Sequence, residues 1–312
     1  MSNFLVCLNA ILPIFLIMAV GYACRRAGIF REGEPARFNA VAFKIFLPLS
    51  CFYNIYQSDL SRAVHPGLLL YAVVAVLLSI ALSWWYGTRF VDRRDRKGVV
   101  IQGLYRSNFV IIGMPLATYL IDALDYGPVA VLIAVVVPLF NVFAVITLET
   151  FNGEKVSRKK LVVDILKNPL ILGCVAGLLC LLLHVRLPVF VEKAVSDMAK
   201  AASPLMLFLL GASFRFNSIR NQMRELAAVC VGRLIVIPGI FLSLAALLGF
   251  RGLDFVALLC VFASCTAVSS FSMAQQMGGD ADLAGNIVVM TSLLCSVTLF
   301  LWSFVFLSLG IF

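Results

Sequence analysis

Apolar runs of about 20 residues, separated by short polar breaks, recur along the whole chain. That is the length at which a helix crosses a bilayer. The pattern predicts ten spans, at residues 3–24, 38–56, 66–86, 99–121, 126–148, 168–185, 195–214, 226–250, 253–277 and 283–309. No break is long enough to hold a soluble domain. The first span is too long, and too lightly charged in front, to read as a cleaved signal peptide. The expected product is an all-α integral membrane protein.

Composition agrees. The 312 residues are 62% hydrophobic and 13% charged, with a mean hydropathy of +1.01. Too little polar surface exists to cover a water-soluble globule, which argues against a cytosolic enzyme, a disordered chain or a secreted disulfide scaffold. The nine cysteines lie mostly inside apolar runs and show neither a C-x-x-C pair nor metal-ligand spacing, so they read as reduced apolar fillers. The net charge of +9 would suggest nucleic acid in a soluble protein, but here its placement matters more. Seventeen Lys and Arg residues fall in the loops after spans 1, 3, 5 and 7, against four on the other side (Arg62, Arg186, Lys193, Arg251). Bases collect in cytoplasmic loops. Both termini are therefore expected outside, and nucleic acid drops out as a partner. The loop after span 9 breaks the pattern, with Asp280 and Asp282 and no base.

The two halves align at one offset of 156 residues. Pro13 falls on Pro169, Gly21 on Gly177, Lys44 on Lys200 and Pro48 on Pro204, so K-x-x-x-P-L occurs twice. Five spans per half is an odd number, so the second half enters the membrane upside down. The expected organisation is two inverted five-helix repeats, 1–156 and 157–312. Many secondary transporters are built this way, with the substrate site at the repeat interface.

Two spans carry signs of interruption. Span 4 reads S-N-F-V-I-I-G-M-P from Ser107 to Pro115. Pro115 lacks an N–H and Gly113 lets the chain bend, which predicts a break near Gly113 with a second half-helix starting near Pro115. Its positive end would suit an anion, and Asn108 stands just before it. The offset carries this break to span 9, where Ser264, Cys265, Thr266, Ser269, Ser270 and Ser272 crowd ten positions. Small polar side chains loosen a helix, and Ser269 or Ser270 could cap a second half. Small-residue packing remains the alternative for span 9, and a simple kink for span 4. Asn141 in span 5 is either packing glue or a third polar group of the site. Arg106 either attracts an anion or reaches the cytoplasmic interface. Lys44, Lys200 and Arg233 are the other bases inside spans, functional or snorkelling.

The stretch Asn108 to Pro115 resembles the auxin efflux carrier family, within the wider bile-acid-symporter-like superfamily. Leu12-Pro13-Ile14 to Gly21-Tyr22 is similar to that family's first helix, Asn39 to Pro48 to its second, Asn168-Pro169-Leu170 to its sixth, and Leu209 to Ser213 to its seventh. Gly278-Gly279-Asp280 also fits. The resemblance implies broken, crossing helices 4 and 9. It implies a scaffold of helices 1, 2, 6 and 7 beside a moving, elevator-like transport domain, often in a homodimer. It matches Asn108 to the family's helix-4 asparagine, which contacts the substrate carboxylate in plant members, and Asn141 to its helix-5 asparagine. Family proteins usually carry Pro at the ninth-helix break, where this chain has Cys265. The long cytoplasmic loop of plant members is absent, so the chain looks like a bacterial inner-membrane member. The resemblance points to small organic anions such as malate or malonate rather than auxin.

The expected function is a secondary transporter of small organic anions working by alternating access. The substrate-binding candidates are Asn108, Gly113, Pro115, Asn141, Ser264, Cys265, Thr266, Ser269 and Arg106. No bound cofactor is expected, and the coupling ion, Na+ or H+, stays open. A membrane-embedded enzyme would need a nucleophile, an acid–base pair or a metal set. The two histidines, His65 and His184, lie at span edges, and no H-E-x-x-H or Gly-rich phosphate loop is present. A ligand sensor using the same pocket is the alternative, though a sensor would be expected to carry a soluble output domain.

Overall fold

The computed structural model describes residues 2–57, 66–110, 127–151, 163, 165–214 and 221–312. It is helical throughout, with no strand among those residues. The helices are α1 (Ser2–Arg26), α2 (Glu34–Tyr56), α3 (Pro66–Phe90), α4 (Arg94–Tyr105), α5 (Gly127–Phe151), α6 (Pro169–Leu182), α7 (Val189–Ser213), α8 (Met223–Leu247), α9 (Gly252–Ala263), α10 (Ser269–Gln276) and α11 (Ala281–Ser308). Among the described residues, six helices are long and apolar enough to cross a membrane: α2, α3, residues Val131–Phe151 of α5, α7, α8 and α11. Their outward faces carry large apolar side chains such as Leu70, Leu78, Ile235, Leu301 and Phe304, as a lipid environment requires.

Local chemistry explains where helices begin. Asn168 accepts a hydrogen bond from the Leu170 N–H (3.0 Å) ahead of Pro169, and Asp280 accepts one from the Leu283 N–H (3.0 Å). Each side chain satisfies a backbone donor that the first turn leaves free. Two helices contain one π turn each, Ala42–Phe46 in α2 and Gly232–Val236 in α8. Both end two residues before a proline, Pro48 and Pro238. Proline removes a backbone donor and crowds the carbonyl four residues back, and a wider turn accommodates that without breaking the helix.

The helices pack in two groups. In the first, α1 crosses α7 and α2 crosses α6 with backbones almost touching. A Cβ at Gly211 would stand 2.0 Å from the Met18 carbonyl oxygen, and one at Gly177 would stand 2.7 Å from that of Phe52. Only glycine permits these crossings. The second group gathers α3, α4, α5 and α8 to α11.

The loop contacts explain the exception after span 9. Arg96, from the loop after span 3, donates through Nε to Asp280 Oδ2 and through Nη1 to Glu225 Oε1, both at 2.9 Å. Burial alone would lower the Arg96 pKa, but hydrogen bonds to Glu225 and Asp280 outweigh it and raise the group above its ordinary value. Arg25 donates to the Phe214 carbonyl (3.2 Å) and Arg94 to the Thr150 carbonyl (3.1 Å). Residues from the loops after spans 1, 3, 5, 7 and 9 thus meet at one end of the molecule. The acidic loop after span 9 needs no base of its own, because Arg96 supplies it.

Candidate functional site

Helix α4 stops at Tyr105. Arg106 has extended backbone (φ −78°, ψ 131°), and the chain turns helical again at 109–110. The interruption therefore comes several residues before the expected one at Gly113 and Pro115, which lie outside the described residues. The reason is tertiary. The N–H of Asn108 donates to the carbonyl of Cys265 (2.8 Å), so the opened backbone of span 4 is paired with that of span 9.

Span 9 is interrupted too. Helix α9 ends at Ala263, residues 264–268 are non-helical, and α10 starts at Ser269. The expected serine cap is not used. Val268 holds the cap position with no side-chain bond, and the Ser270 N–H bonds the Ala267 carbonyl instead (2.9 Å). Thr266 Oγ1 donates to the Gly103 carbonyl (2.8 Å), and Ser264 Oγ to that of Cys260 (2.6 Å). The Thr266 hydroxyl and the Cys265 carbonyl are thus spent on the crossing, and the Ser264 hydroxyl on its own helix.

A cavity of about 410 Å³ opens in front of the crossing. That lies within the roughly 300–1,000 Å³ of small-molecule sites. Its wall comes from α1 (Pro13, Ile14), α2 (Ser50, Cys51), the span-4 break (Arg106, Ser107, Asn108), α5 (Phe140, Asn141), α7 (Lys200, Ser203) and the start of α10 (Val268, Ser269). Of the expected site residues, Asn108, Asn141, Arg106 and Ser269 share this wall. Ser264, Cys265 and Thr266 stand behind it and do not line it.

Arg106 is 3% exposed, which removes the reading that it reaches the cytoplasmic interface. It donates to Asn141 Oδ1 and contacts the Met273 sulfur. Asn141 in turn donates to Cys51 Sγ (3.1 Å). Two donors in the wall, Asn108 Nδ2 and Ser107 Oγ, are buried without a hydrogen-bond partner among the described residues. Buried polar groups left unmet in this way are rare and call for a ligand or water. Lys200, one of the bases whose role the sequence left open, also lines the cavity. Among the described lining residues there are two cations and no carboxylate. Sequence reasoning missed Ser107, Ser50 and Ser203. The signal available was only that Ser107 sits beside Asn108 and Ser203 one turn from Lys200.

Arg233 is 1% exposed and so does not snorkel. Its guanidinium donates to the carbonyls of Ser264 and Val261 (both 2.9 Å) and Tyr105 (3.3 Å). The interior around the crossing therefore holds two buried guanidiniums.

With this geometry established, comparison with known proteins decides the family. The sequence profile described as "Membrane transport protein" matches residues 6–161 and 153–303. The chain belongs to the membrane transport protein family. This is the auxin efflux carrier family of the resemblance above. Family relatives include an uncharacterized transporter of Methanocaldococcus jannaschii, 21% identical over 96% of this chain and 99% of its own length. The uncharacterized transporter YfdV of Escherichia coli is 22% identical over 73% of this chain and 74% of its own. A candidate malonate transporter of Rhizobium meliloti is 22% identical over 92% of each chain. Family and relatives indicate a multi-pass membrane transporter rather than an enzyme.

Proposed function

We propose that this family member is a secondary transporter of small organic anions of the malonate or malate type. It works by alternating access, the two helix groups moving against each other across the cavity in an elevator-like way. The observation that carries this reading is the cavity wall: Arg106 and Lys200 beside two unpartnered donors, with no carboxylate among the described lining residues. The N-terminus of α10 adds its positive end. An anion gains from every one of these groups, and a cation is repelled by both charges. The similarity to a candidate malonate transporter supports the substrate size.

The same reading takes the chain as ten spans in two inverted repeats, 1–156 and 157–312, with helices 4 and 9 broken and crossing. It places both termini outside the inner membrane and two copies in a homodimer. Support for the repeat comes from Gly21 and Gly177, which the offset pairs. Gly21 lies in the α1–α7 crossing, where its Cβ would stand 2.0 Å from the Phe208 oxygen, and Gly177 in the α6–α2 crossing. Exchange of the halves maps one crossing onto the other. Gly113 and Pro115 remain substrate-site residues of this reading through the second half of span 4. Ser264, Cys265 and Thr266 act by holding the crossing.

Purified protein in liposomes should accumulate radiolabelled malonate or malate under an imposed gradient. Movement of neither under any ion gradient or membrane potential overturns the reading. Asn108→Ala should abolish uptake at unchanged expression, because a donor with no protein partner is removed from the wall; normal uptake would take Asn108 out of the site. For Lys200→Gln, an about fivefold higher KM for malonate is expected, with a weaker dependence on salt, since a charge at the rim of a site acts mainly through steering. Uptake measured at two ionic strengths checks this.

A further inference from the structure

Three bases lie at or beside the crossing, and two of them face the cavity. The third, Arg233, faces away from it, towards backbone. Helix α4 ends at Tyr105 and α9 at Ala263, and the Arg233 guanidinium bonds carbonyls at both ends: Tyr105 on one, Val261 and Ser264 on the other. Each helix C-terminus carries roughly half a negative charge, so two that converge amount to about one. The single positive charge of Arg233 matches that sum. No acidic side chain pairs with it among the described residues. A buried charge without such partners would cost several kcal/mol, and the three charge-assisted bonds are what make it tolerable. Beside it in α8, Gly232 lies against the tip of the Leu104 side chain, 2.4 Å from where a Cβ would stand.

Secondary transporters with broken helices commonly hold a coupling Na+ on freed carbonyls and half-helix C-termini. Here that group of acceptors is already taken. We propose that Arg233 is a tethered cation standing where a coupling sodium would sit, so that it positions both broken ends permanently and transport needs no sodium at the crossing. This rests on the transport reading above for its functional half, while the ion-binding half stands on the geometry alone. Arg233 is a positioning residue: it touches the backbone of the crossing and not the cavity.

The test is thermal unfolding of the full-length detergent-purified protein in sodium chloride and in N-methylglucamine chloride at equal ionic strength. The wild-type Tm is expected to be the same in both. Arg233→Ala should melt lower and gain a sodium response, because its carbonyls become free for an ion. Binding at about ten times the dissociation constant raises Tm by about 2 °C in a chain of this size. Arg233→Lys, which keeps a cation, should stay indifferent to sodium. A purely structural arginine would lower Tm in the alanine variant with no sodium response, and that result overturns the proposal. So does a sodium-dependent Tm in the wild type, which reads out even if Arg233→Ala fails to fold. In liposomes, wild-type malonate uptake should be within twofold with or without sodium; strict sodium dependence also overturns it. Absence of all uptake would remove the transport reading, and the thermal arms would still decide the ion site.

Discussion

Replacing Arg106 by methionine is expected to weaken malonate binding by a factor of about 30 to 3,000. Truncating one partner of a buried, hydrogen-bonded charge pair costs about 2–5 kcal/mol, and each 1.4 kcal/mol is tenfold in affinity. Arg106 is buried in the cavity wall, held by Asn141 and the Met273 sulfur, and has no carboxylate partner among the described residues. Its charge is thus available to the anion. Exchange of a buried charge for an apolar side chain of similar length is often neutral or stabilising for the fold. Tm without substrate should therefore hold while the substrate-induced rise in Tm disappears. Arg106→Lys should recover part of the affinity, since the charge returns without the planar fork that reaches Asn141. Equal malonate affinity in wild type and Arg106→Met would place the anion elsewhere.

Gly211→Val should damage the fold itself. Its Cβ would stand 2.0 Å from the Met18 carbonyl oxygen and 2.7 Å from the carbonyl carbon, both backbone atoms that cannot swing away. Overpacking of this kind typically costs about 1–3 kcal/mol when side chains can yield, and more is expected where only backbone can move. The measurement is the yield of monodisperse protein and its Tm in detergent, both of which should drop sharply. Gly67→Ala at the start of α3 is the control, because among the described residues nothing lies within 4 Å of the Cβ it would gain. If Gly211→Val purified and melted like Gly67→Ala, the close α1–α7 crossing would be refuted.

The helices and the grouping of loops were legible in the sequence because both are set by local rules. Lipid demands long apolar runs, and charge sorts to one side of a bilayer. Asp280 looked like an exception until its partner was known. The bond it needs comes from Arg96, 184 positions away, and no local pattern carries that. The π turns were hidden for a related reason. Pro48 and Pro238 announce a disturbed helix, but whether it kinks, breaks or widens is settled by what packs around it.

At the site the division is sharper. Asn108, Asn141 and Ser269 stood out as polar residues inside apolar spans, and polar groups in lipid must be accounted for. That reasoning finds candidates without assigning them work. Ser264, Cys265 and Thr266 looked equivalent to Ser269, yet the hydroxyls of Ser264 and Thr266 turn to backbone and the Cys265 sulfur to Ser292, while Ser269 lines the cavity. Arg106 stood out from Arg233 only by lying two residues before Asn108. One ends in the cavity and the other on two helix ends. By itself the sequence determined a bundle of apolar helices, marked spans 4 and 9 as candidates for interruption, and put most of its loop bases after spans 1, 3, 5 and 7. Only the tertiary structure decided where span 4 opens, which bases are buried, and which polar groups face the cavity. Apolar length and charge asymmetry are read against the membrane, one residue after another. The partners of a freed carbonyl or a buried guanidinium come from other helices, 128 positions apart for Tyr105 and Arg233, and exist only once the helices have packed.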